Sequence, residues 1–291
     1  MLTEEQIYGI YVPVVTPFLA AGEIDLESYQ RYVNNIIKNS IHGLVVNGTT
    51  GESPTVNIQE LQSLVDASRE LLKSTSIPLV VGTGTNDTHS TVARTELAAN
   101  AGADAALVVV PYYSRPSQEG IIAHFRKAAE VGLPIIAYDI PGRAGVGMTV
   151  DTARTILAMN NVVGLKDCSG SPQLVSELSR SGSKPVLCGD DLHFFDMLGC
   201  GAAGGMLASA NVHTARYLSI YEQYRAGQVD EARAAFEELV PLMKLLFKES
   251  NPAPIKWLLS ARGEIASDTL RLPMTSISSA LREELGAYLA G

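Results

Sequence analysis

Eight short apolar runs, rich in β-branched residues, recur along the chain at intervals of roughly 20 to 35 residues. They start at Ile10 (IYVPVVTP), Gly43 (GLVVNG), Pro78 (PLVVGT), Asp104 (DAALVVVP), Pro134 (PIIAYDIP), Val162 (VVGLKD), Pro185 (PVLCGDD) and Gly204 (GGMLAS). None alternates cleanly between apolar and polar positions, as expected of strands buried on both faces of a parallel sheet. Between them, apolar residues return at helical spacing over Leu26–Lys38, Ile58–Leu72, Thr88–Asn100, Ser117–Glu130, Val150–Met159, Pro172–Ser181, Leu192–Cys200 and Val212–Ala226. Strand and helix alternate throughout. Eight such units in 291 residues predict an α/β fold, a closed (β/α)8 barrel over residues 1–229. No linker or low-complexity stretch interrupts it. Residues 230–291 are helical in pattern only (Glu231–Lys248, Pro254–Arg262, Ser276–Leu289), which predicts a C-terminal helical appendage packed beside the barrel.

In such a barrel the reacting groups stand at the C-terminal ends of the strands and in the loops that follow. Lys166 is there, closing the run Val162-Val163-Gly164-Leu165. An ammonium turned toward a dry interior loses hydration, and the neutral amine so favoured can attack a carbonyl. A lysine that snorkels to the barrel rim or pairs with Asp167 fits the same residues. Tyr138 ends the preceding run. A buried phenol there can hydrogen-bond a nascent alkoxide or carry protons, or it is a core tyrosine with a satisfied hydroxyl. The loop Gly48-Thr49-Thr50-Gly51-Glu52 brings hydroxyls and backbone N–H groups to one point, either to cradle a carboxylate or phosphate or simply as a tight turn and helix cap. Arg143 follows Tyr138 in a loop shaped by Pro141 and Gly142. Its guanidinium can fork onto a carboxylate or lie on the surface.

Other chemistry finds less support. Gly82-Thr83-Gly84 lacks the third glycine and the acidic residue of a dinucleotide fingerprint, and there is no Walker loop. His42, His89, His124, His193 and His213 lack ligand spacing, which disfavours a metal-dependent aldolase or hydrolase. Asp190-Asp191 read as caps of the helix starting at Leu192 rather than as a metal site. The formal net charge of −9 argues against nucleic acid as a partner, and an anionic substrate would need a local cation such as Arg143. The N-terminus is acidic with no apolar run behind it, and no segment approaches the ~18 apolar residues of a membrane span. A soluble cytoplasmic protein without membrane association is expected. The 3 cysteines, Cys168, Cys188 and Cys200, lack CxxC spacing and read as reduced thiols.

Longer stretches resemble a known family. GTTGES at Gly48–Ser53, VPYYSRPSQEG at Val110–Gly120, YDIPGRAG at Tyr138–Gly145 and GLKDCSG at Gly164–Gly170 carry the likeness, with CGDD at Cys188–Asp191, NPAPIK at Asn251–Lys256 and LRLPM at Leu270–Met274. Together they resemble the class I, Schiff-base-forming pyruvate enzymes of the dihydrodipicolinate synthase and N-acetylneuraminate lyase family, over nearly the whole chain. The resemblance implies condensation of pyruvate with aspartate-semialdehyde on the diaminopimelate route to lysine, or, as the alternative, cleavage of a 2-keto-3-deoxy sugar acid. It implies that Lys166 forms a Schiff base with pyruvate and that Thr50, with the backbone of Thr49, holds the pyruvate carboxylate. Thr49, Tyr138 and Tyr113 would form a proton relay, Tyr113 reaching into a neighbouring subunit. Arg143 would bind the semialdehyde carboxylate, and the carbonyl of Met206 and the Gly189 region would line the pocket. No cofactor or metal is implied beyond the covalent lysine adduct, and the family's assembly is a homotetramer built from dimers.

Three positions depart from the family pattern. Asp139 replaces the usual Asn, Asp167 the usual Glu, and Gly204-Gly205-Met206-Leu207 the segment often written GVIS. A further departure concerns control. Lysine-inhibited members carry two histidines and a glutamate where this chain has Ile58, Leu61 and Ser90, although Asn86 and Tyr112 remain. Apolar side chains and a serine cannot replace a carboxylate and imidazoles, so feedback by lysine is expected to be weak or absent.

Overall fold

The computed structural model describes residues 1–290. Its strands are β1 (Gly9–Pro13), β2 (Gly43–Val46), β3 (Leu79–Gly82), β4 (Ala105–Val109), β5 (Ile135–Asp139), β6 (Val162–Asp167), β7 (Val186–Cys188) and β8 (Gly204–Met206). Each pairs in parallel with the next, and β8 pairs with β1, closing the barrel. The helices are α1 (Leu26–Ile37), α2 (Ile58–Leu72), α3 (Thr88–Asn100), α4 (Gln118–Ala129), α5 (Pro141–Ala144), α6 (Val150–Leu157), α7 (Gln173–Arg180), α8 (Phe194–Gly199), α9 (Thr214–Arg225), α10 (Val229–Glu237), α11 (Val240–Leu246), α12 (Ala253–Ala261) and α13 (Ser279–Ala290). Several start on a short polar side chain that accepts from an otherwise unpaired N–H of the first turn. Asp25 does so for α1, Asp87 for α3, Ser117 for α4 and Thr149 for α6, while Asn57 and Glu60 form a reciprocal capping box on α2.

The core has two layers. Outside the barrel wall, residues such as Ile10, Leu44, Ile135, Ala137 and Leu165 pack against the helices. Inside it, Tyr11, Val45, Val80, Leu107, Ile136, Val163, Leu187 and Met206 fill the barrel, and Leu2 and Ile7 from the N-terminal segment join them. The predicted barrel and C-terminal helices are present, with differences of detail: α5 has no counterpart in the sequence pattern, α13 starts at Ser279 rather than Ser276, and two more follow. The stretch Glu231–Lys248 is two helices, α10 and α11. Pro241 stands at the second position of α11, where a missing N–H is harmless; inside one continuous helix it would delete a hydrogen bond and crowd the preceding turn. The helix predicted from Leu192 begins at Phe194, after a 3-10 turn over Asp191–His193. No described helix is long and apolar enough to cross a membrane.

One irregularity sets up the site. Ile135 pairs with Val162 but Ile136 pairs with Gly164, so β6 carries a bulge at Val163. Strict alternation would place Val163 and Leu165 on one face and Lys166 on the other. With the extra residue, Val163 packs inside the barrel, Leu165 outside, and Lys166 inside.

Candidate active site

Lys166 is 6% exposed, and its Nζ lies 4.4 Å from the centroid of the Tyr138 ring. The two residues are partners in the β5–β6 ladder. Lys166 is therefore neither snorkelling to the rim nor paired with Asp167, whose Oδ1 accepts from the N–H of Ser169 at 2.8 Å. Burial pushes the Tyr138 phenol well above its ordinary range; Cys168 adds to the effect, and the nearby Thr49 side chain opposes it. The Cys168 thiol, 3.9 Å from the Tyr138 hydroxyl, is itself pushed up to about 12 by burial, with the charge of Lys166 working in the opposite direction. A protonated phenol and thiol thus flank the amine.

Gly189 completes this pocket by having no side chain. A Cβ there would sit 2.4 Å from Lys166 Cε and 2.3 Å from Cys168 Sγ. The inward path of the lysine needs that space. Met206 is fully buried on β8 among the interior side chains. Asp191, read from sequence as a helix cap, reaches across instead to the turn after β8, accepting from the N–H groups of Ser209 at 2.7 Å and Ala208 at 3.3 Å. Its carboxyl is raised to about 6 by burial.

The turn after β2 stands at the mouth. The N–H groups of Gly51 and Glu52 are used within it, on the carbonyls of Gly48 and Thr49. Among the described residues, those of Thr49 and Thr50 donate to no backbone acceptor. Thr50 is buried, and its Oγ1 accepts from Asn251 Nδ2 at 3.1 Å. A cavity of about 280 Å3 opens above, lined by Thr49, Glu52, Tyr112, Arg143, Asn251 and Met274 among others. Arg143 is carried by the single turn α5, which Pro141 starts and Gly145 ends in the left-handed conformation. The guanidinium is the cation of the mouth, because Lys256 is enclosed against Glu52. Among the described residues no three histidine, cysteine, aspartate or glutamate side chains converge to hold a metal ion.

Lys166, Tyr138 and Gly189 come together at one level, with Thr49, Thr50 and Arg143 at the mouth. Tyr113 does not join them. It is 89% exposed with a left-handed backbone, φ +72°, and does not line the cavity, whereas its neighbour Tyr112 does. Asn251 and Cys168 join the site without a local sequence signal for it. Asn251 lies about 200 positions from the turn it touches, and a lone cysteine has no spacing pattern to reveal it.

Comparison with known proteins identifies the family and the fold. The model of the dihydrodipicolinate synthetase family matches residues 6–290. The 4-hydroxy-tetrahydrodipicolinate synthase of Syntrophobacter fumaroxidans is 37% identical over 287 residues, covering 96% of this chain and 98% of its own. The crystal structure of dihydrodipicolinate synthase from Thermotoga maritima superposes with a TM-score of 0.94 at 36% identity, covering 98% of each chain. That of the chloride-inhibited enzyme from Acinetobacter baumannii, in complex with pyruvate, superposes with a TM-score of 0.94 at 34% identity, again covering 98% of each chain.

Proposed function

The chain belongs to the dihydrodipicolinate synthetase family, and on that ground we propose that it is an enzyme of the 4-hydroxy-tetrahydrodipicolinate synthase reaction, joining pyruvate to L-aspartate-4-semialdehyde. The observation that carries the assignment is the buried Lys166 side chain beside Tyr138, with a turn whose Thr49 and Thr50 N–H groups donate to no backbone acceptor among the described residues, and with Arg143 at the mouth.

Lys166 adds to the keto carbon of pyruvate, and loss of water leaves a protonated imine. The imine withdraws electrons while a methyl proton is removed, giving an enamine. Its carbon attacks the aldehyde carbon, forming the new C–C bond, and the aldehyde oxygen takes a proton to become the hydroxyl. The amine of the former semialdehyde then adds to the imine carbon and displaces Lys166, closing the ring. One water is lost overall. Thr50 and the N–H groups of Thr49 and Thr50 receive the pyruvate carboxylate. Thr49 and Tyr138 pass protons, the buried phenol being neutral and able to donate. Arg143 forks onto the semialdehyde carboxylate. Gly189 and the carbonyl of Met206 shape the wall around the amine.

The chemistry needs only the covalent lysine adduct, without metal or separate cofactor. Tyr113, projecting from the chain, fits a third place in the proton relay of a neighbouring subunit, within a homotetramer built from dimers. A cytoplasmic location suits a biosynthetic enzyme of this kind. The synthase-named relatives and the guanidinium at the mouth favour this reaction over cleavage of a sugar acid.

The test is reduction with borohydride in the presence of pyruvate, together with a coupled assay using aspartate-semialdehyde. One reduced pyruvyl group is expected on Lys166. Absence of the adduct overturns the mechanism, and turnover of a 2-keto-3-deoxy sugar acid in preference to the semialdehyde overturns the substrate.

A further inference from the structure

The motifs NPAPIK and LRLPM take no part in the chemistry above, yet the Asn251 and Lys256 side chains and the Arg271 backbone N–H converge on the turn after β2. Lys256, on α12, has no exposure to solvent. Its Nζ donates to Glu52 Oε1 at 2.8 Å, to the carbonyl of Thr16 at 2.9 Å and to the carbonyl of Thr269, and faces the Phe18 ring at 4.3 Å from its centroid. All three donors of the ammonium are used. Burial lowers the lysine pKa, and Glu52 works against that shift.

Each hold ends on the turn. Glu52 has a left-handed backbone, φ +56°, which a residue with a side chain adopts only when its surroundings enforce it. Its second oxygen accepts from the N–H of Arg271 at 3.2 Å. Thr16, gripped through its carbonyl by Lys256, gives its hydroxyl to the carbonyl of Gly51 at 2.8 Å. Asn251 holds the hydroxyl of Thr50. Thr50, Gly51 and Glu52 are thus fixed one after another by groups tied to the C-terminal segment. A buried ion pair is generally no better for stability than apolar residues of the same size, so stability alone is a poor reason for placing one here. Fixing the shape of a strained turn is a better one.

We propose that Lys256 and Asn251 are positioning residues that hold the turn Gly48–Glu52 in the shape that receives the pyruvate carboxylate. The inference rests on the role given above to Thr49 and Thr50. If it holds, disturbing the clamp weakens recognition of the carboxylate and leaves the reactivity of Lys166 toward a plain ketone intact.

Borohydride trapping at Lys166 with pyruvate and, in parallel, with acetone separates the two effects. The variants are Asn251→Ala and the size-preserving double change Glu52→Gln/Lys256→Met, which leaves no unpaired buried charge. A misplaced turn is expected to raise the pyruvate concentration for half-maximal trapping at least about 10-fold, with acetone trapping changed less than about twofold. Thermal melting verifies folding; if the double variant does not fold, Asn251→Ala decides. Unchanged pyruvate trapping overturns the proposal, as does an equal loss with both ketones, which marks a merely structural role. Failure of the unsubstituted protein to trap pyruvate while still trapping acetone is a different result: it removes the carboxylate role of the turn itself.

Discussion

Tyr138 and Lys166 stand opposite each other on neighbouring strands, and the ammonium of one lies over the ring of the other, 4.4 Å from its centroid. The ring face packs against Nζ while the phenolic oxygen lies beyond it, toward Thr49 and Cys168. The proposed nucleophile and proton carrier therefore share one wall.

The space that Lys166 occupies is borrowed from Gly189. In Gly189→Ala the new methyl would meet both the lysine stem and the Cys168 sulfur, and the amine must shift. A displacement near 1 Å costs on the order of 100-fold in rate. The rate of borohydride-trapped pyruvate adduct should fall by that order, while thermal melting still shows a folded protein. A normal trapping rate would show that the lysine can enter the barrel by another route.

The role proposed for Arg143 confines it to the second substrate. Arg143→Ala should form the pyruvate adduct normally and lose about 10- to 100-fold in kcat/KM for aspartate-semialdehyde, the range for one charge-assisted hydrogen-bonding group. Steady-state kinetics with each substrate varied in turn measures this. Equal losses for both substrates would contradict the separation of roles.

Asp139, where the family pattern has asparagine, gives stability a pH dependence. Burial raises its carboxyl from 3.8 to about 7; the Met148 N–H opposes the shift and the Asp167 charge adds to it. Between these values the folded chain holds a proton that the unfolded chain has released. Stability consequently falls as pH rises through that window, by up to ~1.4 kcal/mol per pH unit. Asp139→Asn keeps an acceptor for Met148 and removes the cost of the charge. The variant should melt several degrees higher than the parent near pH 8 and close to it near pH 4. A gain of the same size at both pH values would mean that the charge is not its source.

Feedback by lysine should be weak or absent. Leu61 is fully buried in the core, Ile58 is partly exposed and apolar, and Ser90 sits in the first turn of α3 with its N–H on the Asp87 cap. None offers a charge to an amino acid. Titrating lysine into the coupled assay checks this, and a submillimolar inhibition constant would refute it.

The barrel was legible because each strand is a short apolar run bounded by turn residues, and because reacting groups gather at one end of such a barrel. Lys166, Tyr138, Thr49, Thr50 and Arg143 could be chosen by that rule. Asn251 and Lys256 could not, since contacts across some 200 residues leave no local periodicity to read. The sequence pattern runs α10 on into α11 because amphipathic spacing continues across Pro241, and the backbone break wins over the side-chain pattern there. Tyr113, placed in the site by resemblance alone, projects into solvent and stays apart from it in this chain.

The bulge at Val163 makes the identity of the proposed nucleophile a matter of counting. Without that one extra residue, Leu165 would face the substrate and the amine would point toward the helices. Transplanting this lysine into another eight-stranded scaffold would therefore fail if only the side chain were copied. What has to be transferred is the phase of the strand, three residues upstream of the atom that reacts.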